Sequence, residues 1–332
     1  MSYTDELDKE MRLRFGAARV KSCHGPVVDN VYYNVAAGTR FGDLEKFVTK
    51  NDLRVIIDHG TADIVIEIPH KNRKTIFASD LLTCASYIKS QAMLPIALGV
   101  NSLGRTIVWD LRKMPHLLIG GRHGSGKSTF MHSVIASLTN CLVPEQCGLI
   151  LIDTKGLEFS AWNNSKLLRR PVITDVCDAM DVMKDIVKEA DARYQKIRES
   201  KARNIEYYNQ NNATPMPYMV VIIDEFADLV KQSKSDFEQY VARITQKTCL
   251  VGIHLIMATE QVNAETITGI IKAFMAVRIA FQTQNKAQSK AILGEGGAEN
   301  LLCYGDALFS DAGRAPVRIH TPYIDVETIG EI

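Results

Sequence analysis

The stretch LLIGGRHGSGKSTFMHS (Leu117–Ser133) joins a short apolar run to a glycine-rich loop and then to a segment with helical character. It contains the pattern G-x-x-x-x-G-K-S/T, which between a strand and a helix is typical of a phosphate-binding loop. Glycines let the backbone N–H groups turn inward toward phosphate oxygens, where the positive end of the helix dipole also lies. The stretch therefore predicts a nucleotide site that comprises Gly121, Arg122, His123, Gly124, Ser125, Gly126, Lys127, Ser128 and Thr129.

Two side chains of this loop have defined tasks in such a site. A lysine at the position of Lys127 reaches the β- and γ-phosphates of ATP, and a hydroxyl at Ser128 ligates Mg²⁺. We therefore expect ATP and Mg²⁺ as cofactors and include Lys127 among the catalytic residues. The alternative is a glycine-rich turn that matches by accident, but the preceding apolar run, the helical segment and the Lys-Ser pair argue against it.

A pair of acids follows a second apolar run, MVVIIDEF (Met219–Phe226). In phosphate-loop enzymes an acid at the tip of a buried strand holds Mg²⁺, and a neighbouring acid can activate the attacking water. We predict that Asp224 is the metal residue and Glu225 the general base. A single aspartate that caps a helix is the alternative interpretation of the first acid.

Residues 93–332 alternate short apolar runs with helical segments. The runs HLLIGG, GLILID, MVVIIDE, IHLIMAT and AVRIAF are of the kind found in parallel sheets that are covered on both faces. Residues 176–197 place apolar side chains along one helical face. This pattern predicts an α/β domain with a mostly parallel central sheet.

Residues 1–92 follow a different pattern, which predicts a small α+β subdomain. Strands are expected near 27–36 and 62–69, with a helix over 41–51 between them. The segment KSQAMLP (Lys89–Pro95) is a plausible linker to the second domain.

Composition limits the classes of protein that remain. Of the 332 residues, 46% are hydrophobic and 23% charged, which excludes a disordered or fibrous chain. No apolar run approaches the roughly 20 residues of a membrane span, so we expect a soluble, cytoplasmic protein. The net charge of +1 requires that any DNA-binding surface be local.

Several motifs together resemble the motor domain of FtsK/SpoIIIE-type DNA translocases. They are MPHLLIGGRHGSGKS, LILIDTKGLEFSAW, MVVIIDEFADLV, GIHLIMAT, ITGIIKA, VRIAFQ and GGAENLLCYGDALF. The resemblance runs from about Val20 to Tyr323, and its first part is similar to the small α subdomain of that family. It implies a RecA-like ATPase domain, a hexameric ring that threads double-stranded DNA, and ATP bound between neighbouring subunits.

The resemblance also implies roles for residues outside the loop. Arg278 in AVRIAFQ matches a family arginine, and we interpret it as an arginine finger that reaches a neighbour's γ-phosphate. A locally paired Arg278 is the alternative, and Arg203 is a weaker candidate for the finger. Four residues match positions that face DNA in the family's central channel, although a solvated surface is the alternative for each: Lys272, Lys286, Ser289 and Lys290.

Three departures from the family pattern bear on activity. The chain has ATEQ where the family usually has ATQR, so Glu260 replaces an amide near the γ-phosphate and Gln261 replaces a basic residue. We treat Glu260 as a sensor candidate, and an acid there repels phosphate unless it is protonated or paired with a cation. Cys249 and Lys290 both occupy family arginine positions, and a lysine lacks the planar fork of arginine. These changes predict weaker binding to DNA and slower hydrolysis of ATP.

The leading functional hypothesis is an ATP-driven translocase of double-stranded DNA that acts as a ring in segregation, transfer or packaging. One alternative is a motor that moves protein, because type VII secretion ATPases contain related units. Another is an ATP-gated ring that hydrolyses weakly. Since no segment resembling the family's winged-helix γ module follows the ATPase domain, we expect an excised motor or a naturally short relative.

Overall fold

The computed structural model describes residues 3–36, 38–50, 53–57, 64–113, 116–311 and 313–325. The chain divides into two compact units, residues 1–75 with 100–105 and residues 76–99 with 106–332. Residues 76–92, which the sequence pattern assigned to the first domain, belong to the second unit in this division.

The smaller unit contains a four-stranded antiparallel sheet and two helices. The strands lie in the order β1-β2-β4-β3, and Met11, Tyr33, Leu44 and Ile66 belong to the buried cluster of this unit. The predicted strands and helix are present, although residues 51, 62 and 63 of the predicted ranges lie outside the described part of the chain. The elements are α1 (Tyr3–Phe15), β1 (Ala18–His24), β2 (Val28–Asn34), α2 (Phe41–Lys50), β3 (Arg54–Ile57) and β4 (Ile64–Pro69).

The remaining elements form an α/β arrangement in which helices separate most of the strands. They are α3 (Ala78–Thr83), α4 (Ala85–Ile88), β5 (Pro95–Asn101), β6 (Thr106–Asp110), β7 (His116–Gly120), α5 (Lys127–Thr139), β8 (Cys147–Ile152), α6 (Val176–Glu199), α7 (Ile205–Asn211), β9 (Tyr218–Ile223), α8 (Phe226–Gln232), α9 (Lys234–Val251), β10 (Ile253–Thr259), α10 (Gly269–Phe274), β11 (Val277–Phe281), α11 (Lys286–Leu293), β12 (Asp306–Ser310) and β13 (Val317–His320). Short 3₁₀ turns lie at Leu111–Lys113, Phe159–Trp162 and Ala298–Asn300.

These strands make one nine-stranded sheet, in the order β6-β5-β13-β12-β11-β7-β10-β9-β8. From β11 to β8 all neighbours are parallel, whereas β12 pairs antiparallel with both β11 and β13. Strands β7, β8, β9 and β10 are buried at every residue, as expected for parallel strands covered on both faces. The predicted α/β class with a mostly parallel sheet is confirmed.

Chain order places the functional segments at one edge of this sheet. Because β7, β9 and β10 are parallel neighbours, the segments that follow Gly120, Ile223 and Thr259 emerge side by side. Ligands of open α/β sheets bind at this carboxyl edge. Among the described helices, none is long and apolar enough to cross a membrane.

Candidate nucleotide site at the carboxyl edge of the sheet

The loop between β7 and α5 is closely packed against a second loop. Gly126 has a φ of 111°, and a Cβ atom added there would come within 2.7 Å of the Gly305 nitrogen. The Gly305 N–H in turn donates to the Ser125 carbonyl oxygen at 3.0 Å. A side chain at position 126 would separate the two loops, which is a structural reason for glycine there.

Lys127 begins α5 and is almost fully buried, with 4% of its surface exposed. Its Nζ donates to the Arg122 carbonyl oxygen at 2.9 Å and to Glu260 Oε1 at 3.4 Å. Burial lowers the pKa of Lys127, while the nearby carboxylates, Glu260 first, act in the opposite direction. The ammonium group therefore lies between the Arg122 carbonyl of the loop and the Glu260 carboxylate.

Asp224 and Glu225 follow β9 but face different surroundings. Asp224 lines the pocket beside the loop, and burial together with the charges of Glu158 and Asp153 raises its pKa to about 7. The Glu225 carboxylate caps α8 through the Ala227 N–H, and it also accepts hydrogen bonds from the Thr259 hydroxyl at 2.5 Å and the Glu260 N–H at 2.9 Å. In this conformation both oxygens of the predicted base are bound to protein groups.

Glu260 lies among three basic side chains, two lysines and a histidine. His123 Nδ1 is 3.0 Å and Lys127 Nζ 3.4 Å from its Oε1, and Lys155 Nζ is 3.7 Å from its Oε2. Burial alone would raise the pKa of Glu260, but Lys127, His123 and Lys155 outweigh it and lower that pKa. Glu260 is therefore ionised and paired with lysines. An acid near the γ-phosphate was expected to repel phosphate unless it was protonated or paired with a cation, and Glu260 meets the second condition.

A further acid, Glu158, had no role in the sequence prediction. The Ser128 hydroxyl hydrogen-bonds to its carboxylate, and hydrogen bonds from His132 and Ser128 hold the pKa of Glu158 below its usual value despite burial. Trp162 Nε1 donates to His132 Nδ1 at 2.8 Å, so the proton of the neutral imidazole is on Nε2, 3.6 Å from Glu158 Oε2. The predicted Mg²⁺-binding hydroxyl of Ser128 thus faces an ionised, partly exposed carboxylate.

Lys127, Asp224 and Glu260 line one pocket of about 380 Å³, whereas the buried Glu225 is not among its lining residues. One part of its wall carries loop residues and charged side chains: His123, Gly124, Gly126, Lys127, Ser128, Thr129, Lys155, Glu158, Asp224 and Glu260. The other part is uncharged: Leu157, Tyr304, Gly305, Thr321, Pro322 and Tyr323. The sequence prediction missed this second part, and it also missed Lys155 and Glu158 of the first. Lys155, Leu157, Glu158 and Tyr304 nevertheless lie in motifs that carried the family resemblance.

Comparison with known proteins identifies the family. The profile of the FtsK/SpoIIIE family matches residues 79–265, more than half of the chain. The chain belongs to the FtsK/SpoIIIE family. The DNA translocase FtsK of Caulobacter vibrioides is 38% identical over 314 residues, which cover 85% of this chain and 38% of that protein. The FtsK of Campylobacter jejuni is 36% identical over 330 residues, with coverage of 96% and 35%. The chain thus spans less than two-fifths of the length of these relatives.

Solved structures of FtsK-like ATPases have the same fold. The conjugation coupling protein TcpA of pCW3, in its monomer form with ATPγS, superimposes with a TM-score of 0.69 at 22% identity and covers 98% of this chain and 99% of its own. The cytoplasmic domain of the type VII secretion ATPase EccC from Thermomonospora curvata has a TM-score of 0.67 at 21% identity, with coverage of 76% and 32%. At this level of identity the likeness concerns the fold alone.

The Arg278 side chain is hydrogen-bonded to backbone groups of other residues in the same chain. Its guanidinium donates to the carbonyl oxygens of Met275, Ile292 and Lys272 at 2.9, 3.0 and 2.6 Å. Arg278 is the second residue of β11 and lies near the amino end of that strand. The phosphate loop lies near the carboxyl end. Arg203 is exposed and lies over the Tyr207 ring at 5.8 Å. A finger role for either arginine stays a prediction.

The residues predicted to contact DNA differ in exposure. Lys286 and Lys290 lie exposed on α11, and Lys272 is half-buried on α10. Ser289 is fully buried, and its hydroxyl donates to the Glu295 carbonyl and accepts from the Ala298 N–H. Ser289 thus supports the turn after α11, because a buried hydroxyl with both bonds satisfied is not presented to a ligand.

Two further positions of the family comparison can be located. Gln261 is half-buried, and its N–H donates to the Thr259 hydroxyl. Cys249 lies in α9, but its side chain is outside the described part of the chain.

Proposed function

We propose that this chain is the motor of an ATP-driven translocase of double-stranded DNA. The observation that carries the proposal is the meeting of Lys127, Ser128 and Asp224 in one pocket at the carboxyl edge of a parallel sheet. Relatives at 36–38% identity are DNA translocases, which supports DNA as the cargo.

The pocket residues fit Mg-ATP. The Ser128 hydroxyl and the Asp224 carboxylate would hold Mg²⁺, which prefers oxygen ligands. Burial is the main cause of the raised pKa of Asp224, and the negative charges of Glu158 and Asp153, which a divalent cation would offset, add to it. When bound, Mg²⁺ would neutralise charge on the phosphate oxygens. Lys127 would bind the terminal phosphates.

Binding of ATP and activation of the base are coupled in this proposal. The γ-phosphate competes with the Glu260 carboxylate for Lys127, because both are anions that seek the same ammonium group. If displacement of the Glu260 side chain also shifts the backbone at this position, the hydrogen bond from the Glu260 N–H to Glu225 Oε2 is broken. Glu225 then has an oxygen available to accept a proton from the attacking water.

Movement of DNA would use a ring of subunits, with three lysines of each subunit binding the DNA backbone. Lys272, Lys286 and Lys290 would contact the phosphate backbone, which gives sequence-independent and salt-sensitive binding. We propose a hexamer with ATP between neighbours and an arginine, Arg278 or Arg203, completing the site of the next subunit. Arg278 would have to release its three carbonyl partners to do so.

A weakly hydrolysing, ATP-gated ring is the second candidate. The observation that favours it is the ion pair between Glu260 and Lys127, which any nucleotide must break. Replacing ATEQ by ATQR would distinguish the two, since a large gain in hydrolysis supports the gated ring and a negligible gain removes its basis. Protein transport, as in the type VII secretion ATPases, remains an outcome of the next experiment.

The test is steady-state ATP hydrolysis with and without long linear duplex DNA, at low and moderate salt. We expect strong stimulation by DNA that weakens with salt and disappears in Lys127→Ala, while the matched variant Lys184→Ala, on the exposed side of α6, retains it. Lys286→Ala with Lys290→Ala should flatten the salt dependence. ATP hydrolysis that DNA does not stimulate would contradict a DNA motor and favour a protein cargo.

A further inference from the structure

Tyr304 has an unusual backbone and an unusual exposure. Its φ is 64°, in the left-handed region that bulky residues rarely adopt, and 86% of its surface is exposed. A solvent-exposed ring does not compensate for this strain by packing in its own chain. Such strain often marks a functional position.

The loop that carries Tyr304 is held firmly on both sides. Gly305 donates to the Ser125 carbonyl of the phosphate loop and accepts from the Thr321 N–H at 2.7 Å. The next residue, Asp306, is buried and accepts two hydrogen bonds from the Arg318 guanidinium. These contacts fix the backbone at Tyr304 and aim its ring from a rigid support beside the phosphate loop.

The pocket wall has two chemically distinct parts, as described above. The charged part is complementary to a triphosphate. The uncharged part contains two exposed aromatic residues, Tyr304 and Tyr323, beside Pro322. Tyr323 is fixed by its N–H, which donates to the Ile76 carbonyl at 2.7 Å, and by its ring, which meets Phe77 edge-on at 6.1 Å.

We propose that the uncharged part binds the base of the nucleotide, and that the Tyr304 ring stacks on it. The proposal rests on the proposed function, in which the charged part takes the triphosphate of ATP. A nucleoside triphosphate has one highly charged end and one flat aromatic end, and the pocket has the same division. Stacking on an aromatic side chain contributes to affinity whichever base is present. Tyr304 therefore adds affinity for the nucleoside but little choice between purines.

Two variants of Tyr304 test this assignment. Tyr304→Asn removes the ring and accepts a positive φ, so the fold is kept, and Tyr304→Phe keeps the ring. Binding of Mg-ATP and of inorganic tripolyphosphate would be measured by calorimetry at several protein concentrations. We expect Tyr304→Asn to weaken ATP binding about five- to 100-fold and to leave tripolyphosphate binding unchanged. Tyr304→Phe should bind ATP like the unmodified chain, and the melting temperature of Tyr304→Asn should not fall.

Several outcomes would overturn the proposal, and each is distinguishable. Equal losses for ATP and tripolyphosphate would mean that Tyr304 supports the phosphate loop instead of the base. A loss of ATP affinity that varies with protein concentration would assign Tyr304 to a contact between subunits. Failure of the unmodified chain to bind either ligand would refute the proposed function itself.

Discussion

The carboxylates of Glu260 and Asp306 are each paired with basic side chains, but they differ in burial and in the length of their contacts. This difference distinguishes an acid that a ligand can displace from an acid that supports the fold. Asp306 is 2% exposed, and Arg318 approaches it through two nitrogens at 2.8 and 2.6 Å, with the Leu302 N–H at 2.7 Å. The Glu260 side chain is 28% exposed, and its three partners, His123, Lys127 and Lys155, lie 3.0 to 3.7 Å away.

This difference determines what each acid can do. A buried, bidentate pair cannot exchange partners without leaving a charge unsatisfied in the interior. A partly exposed carboxylate with longer contacts is exchangeable, because water and a competing anion can reach the same cations. Asp306 therefore fixes the loop that carries Gly305, whereas Glu260 occupies a place that a phosphate can take.

The largest effect that separates the two acids is on stability. Asp306→Asn removes the buried carboxylate that accepts two hydrogen bonds from the Arg318 guanidinium, and we expect it to lower the free energy of unfolding by about 3–5 kcal/mol. Denaturant unfolding at pH 7 would measure this. Asp311→Asn, which breaks an exposed pair with Arg314, is the matched control and should change stability by less than about 1 kcal/mol. Similar losses of unfolding free energy in both variants would mean that Asp306 has no special role in stability.

Acid should progressively remove the stability that Asp306 contributes. Arg318 outweighs burial and depresses the pKa of Asp306 in the folded chain, whereas its unfolded value is about 3.9. The stability from this group is thus complete above about pH 5 and is lost as the pH falls through the acid range, with a contribution of about 2–3 kcal/mol. Unfolding measured from pH 6 to 3 should be steeper for the unmodified chain than for Asp306→Asn.

Asp224 should affect the pH dependence of stability in the opposite direction to Asp306. Its pKa is raised to about 7 in the folded chain, so the unfolded chain releases this proton at lower pH and stability falls as the pH rises from about 4 to 7. Asp224→Asn should therefore stabilise the nucleotide-free protein at pH 8 by roughly 1–3 kcal/mol and yet abolish ATP hydrolysis. A variant that is both less stable and active would show that Asp224 is a structural acid.

The smallest expected effect concerns Glu260 itself. Glu260→Gln removes the anion that competes with phosphate for Lys127, and because this carboxylate is partly exposed and its contacts are long, we expect it to contribute about 1 kcal/mol or less. We expect ATP affinity to rise about two- to fivefold with little change in stability. Glu265→Gln, an exposed acid on the same segment, serves as control. Weaker ATP binding in Glu260→Gln would mean that the carboxylate assists the nucleotide.

Part of this site could be predicted from sequence because it is local. The phosphate loop and the Asp224–Glu225 pair follow apolar strands directly, and parallel neighbours bring their ends to one edge. The class of the sheet followed from the same apolar runs. These features depend on short spacings along the chain.

The remaining features depend on contacts between distant segments. Tyr304 reaches the pocket because Gly305 packs on Gly126, and Glu158 reaches Ser128 through a loop after β8. Spacing alone does not reveal either contact. For Arg278 the residue type indicated a charged role, but only the structure reveals that its guanidinium binds three carbonyl oxygens.

The most direct test of a DNA motor is movement along DNA. A third strand bound at one end of a long duplex is displaced only by a protein that travels, so its release can be followed after ATP is added. We predict ATP-dependent release by the unmodified chain and by Lys184→Ala, and none by Lys127→Ala or Asp224→Asn. ATP hydrolysis stimulated by DNA without any release of the third strand would contradict translocation.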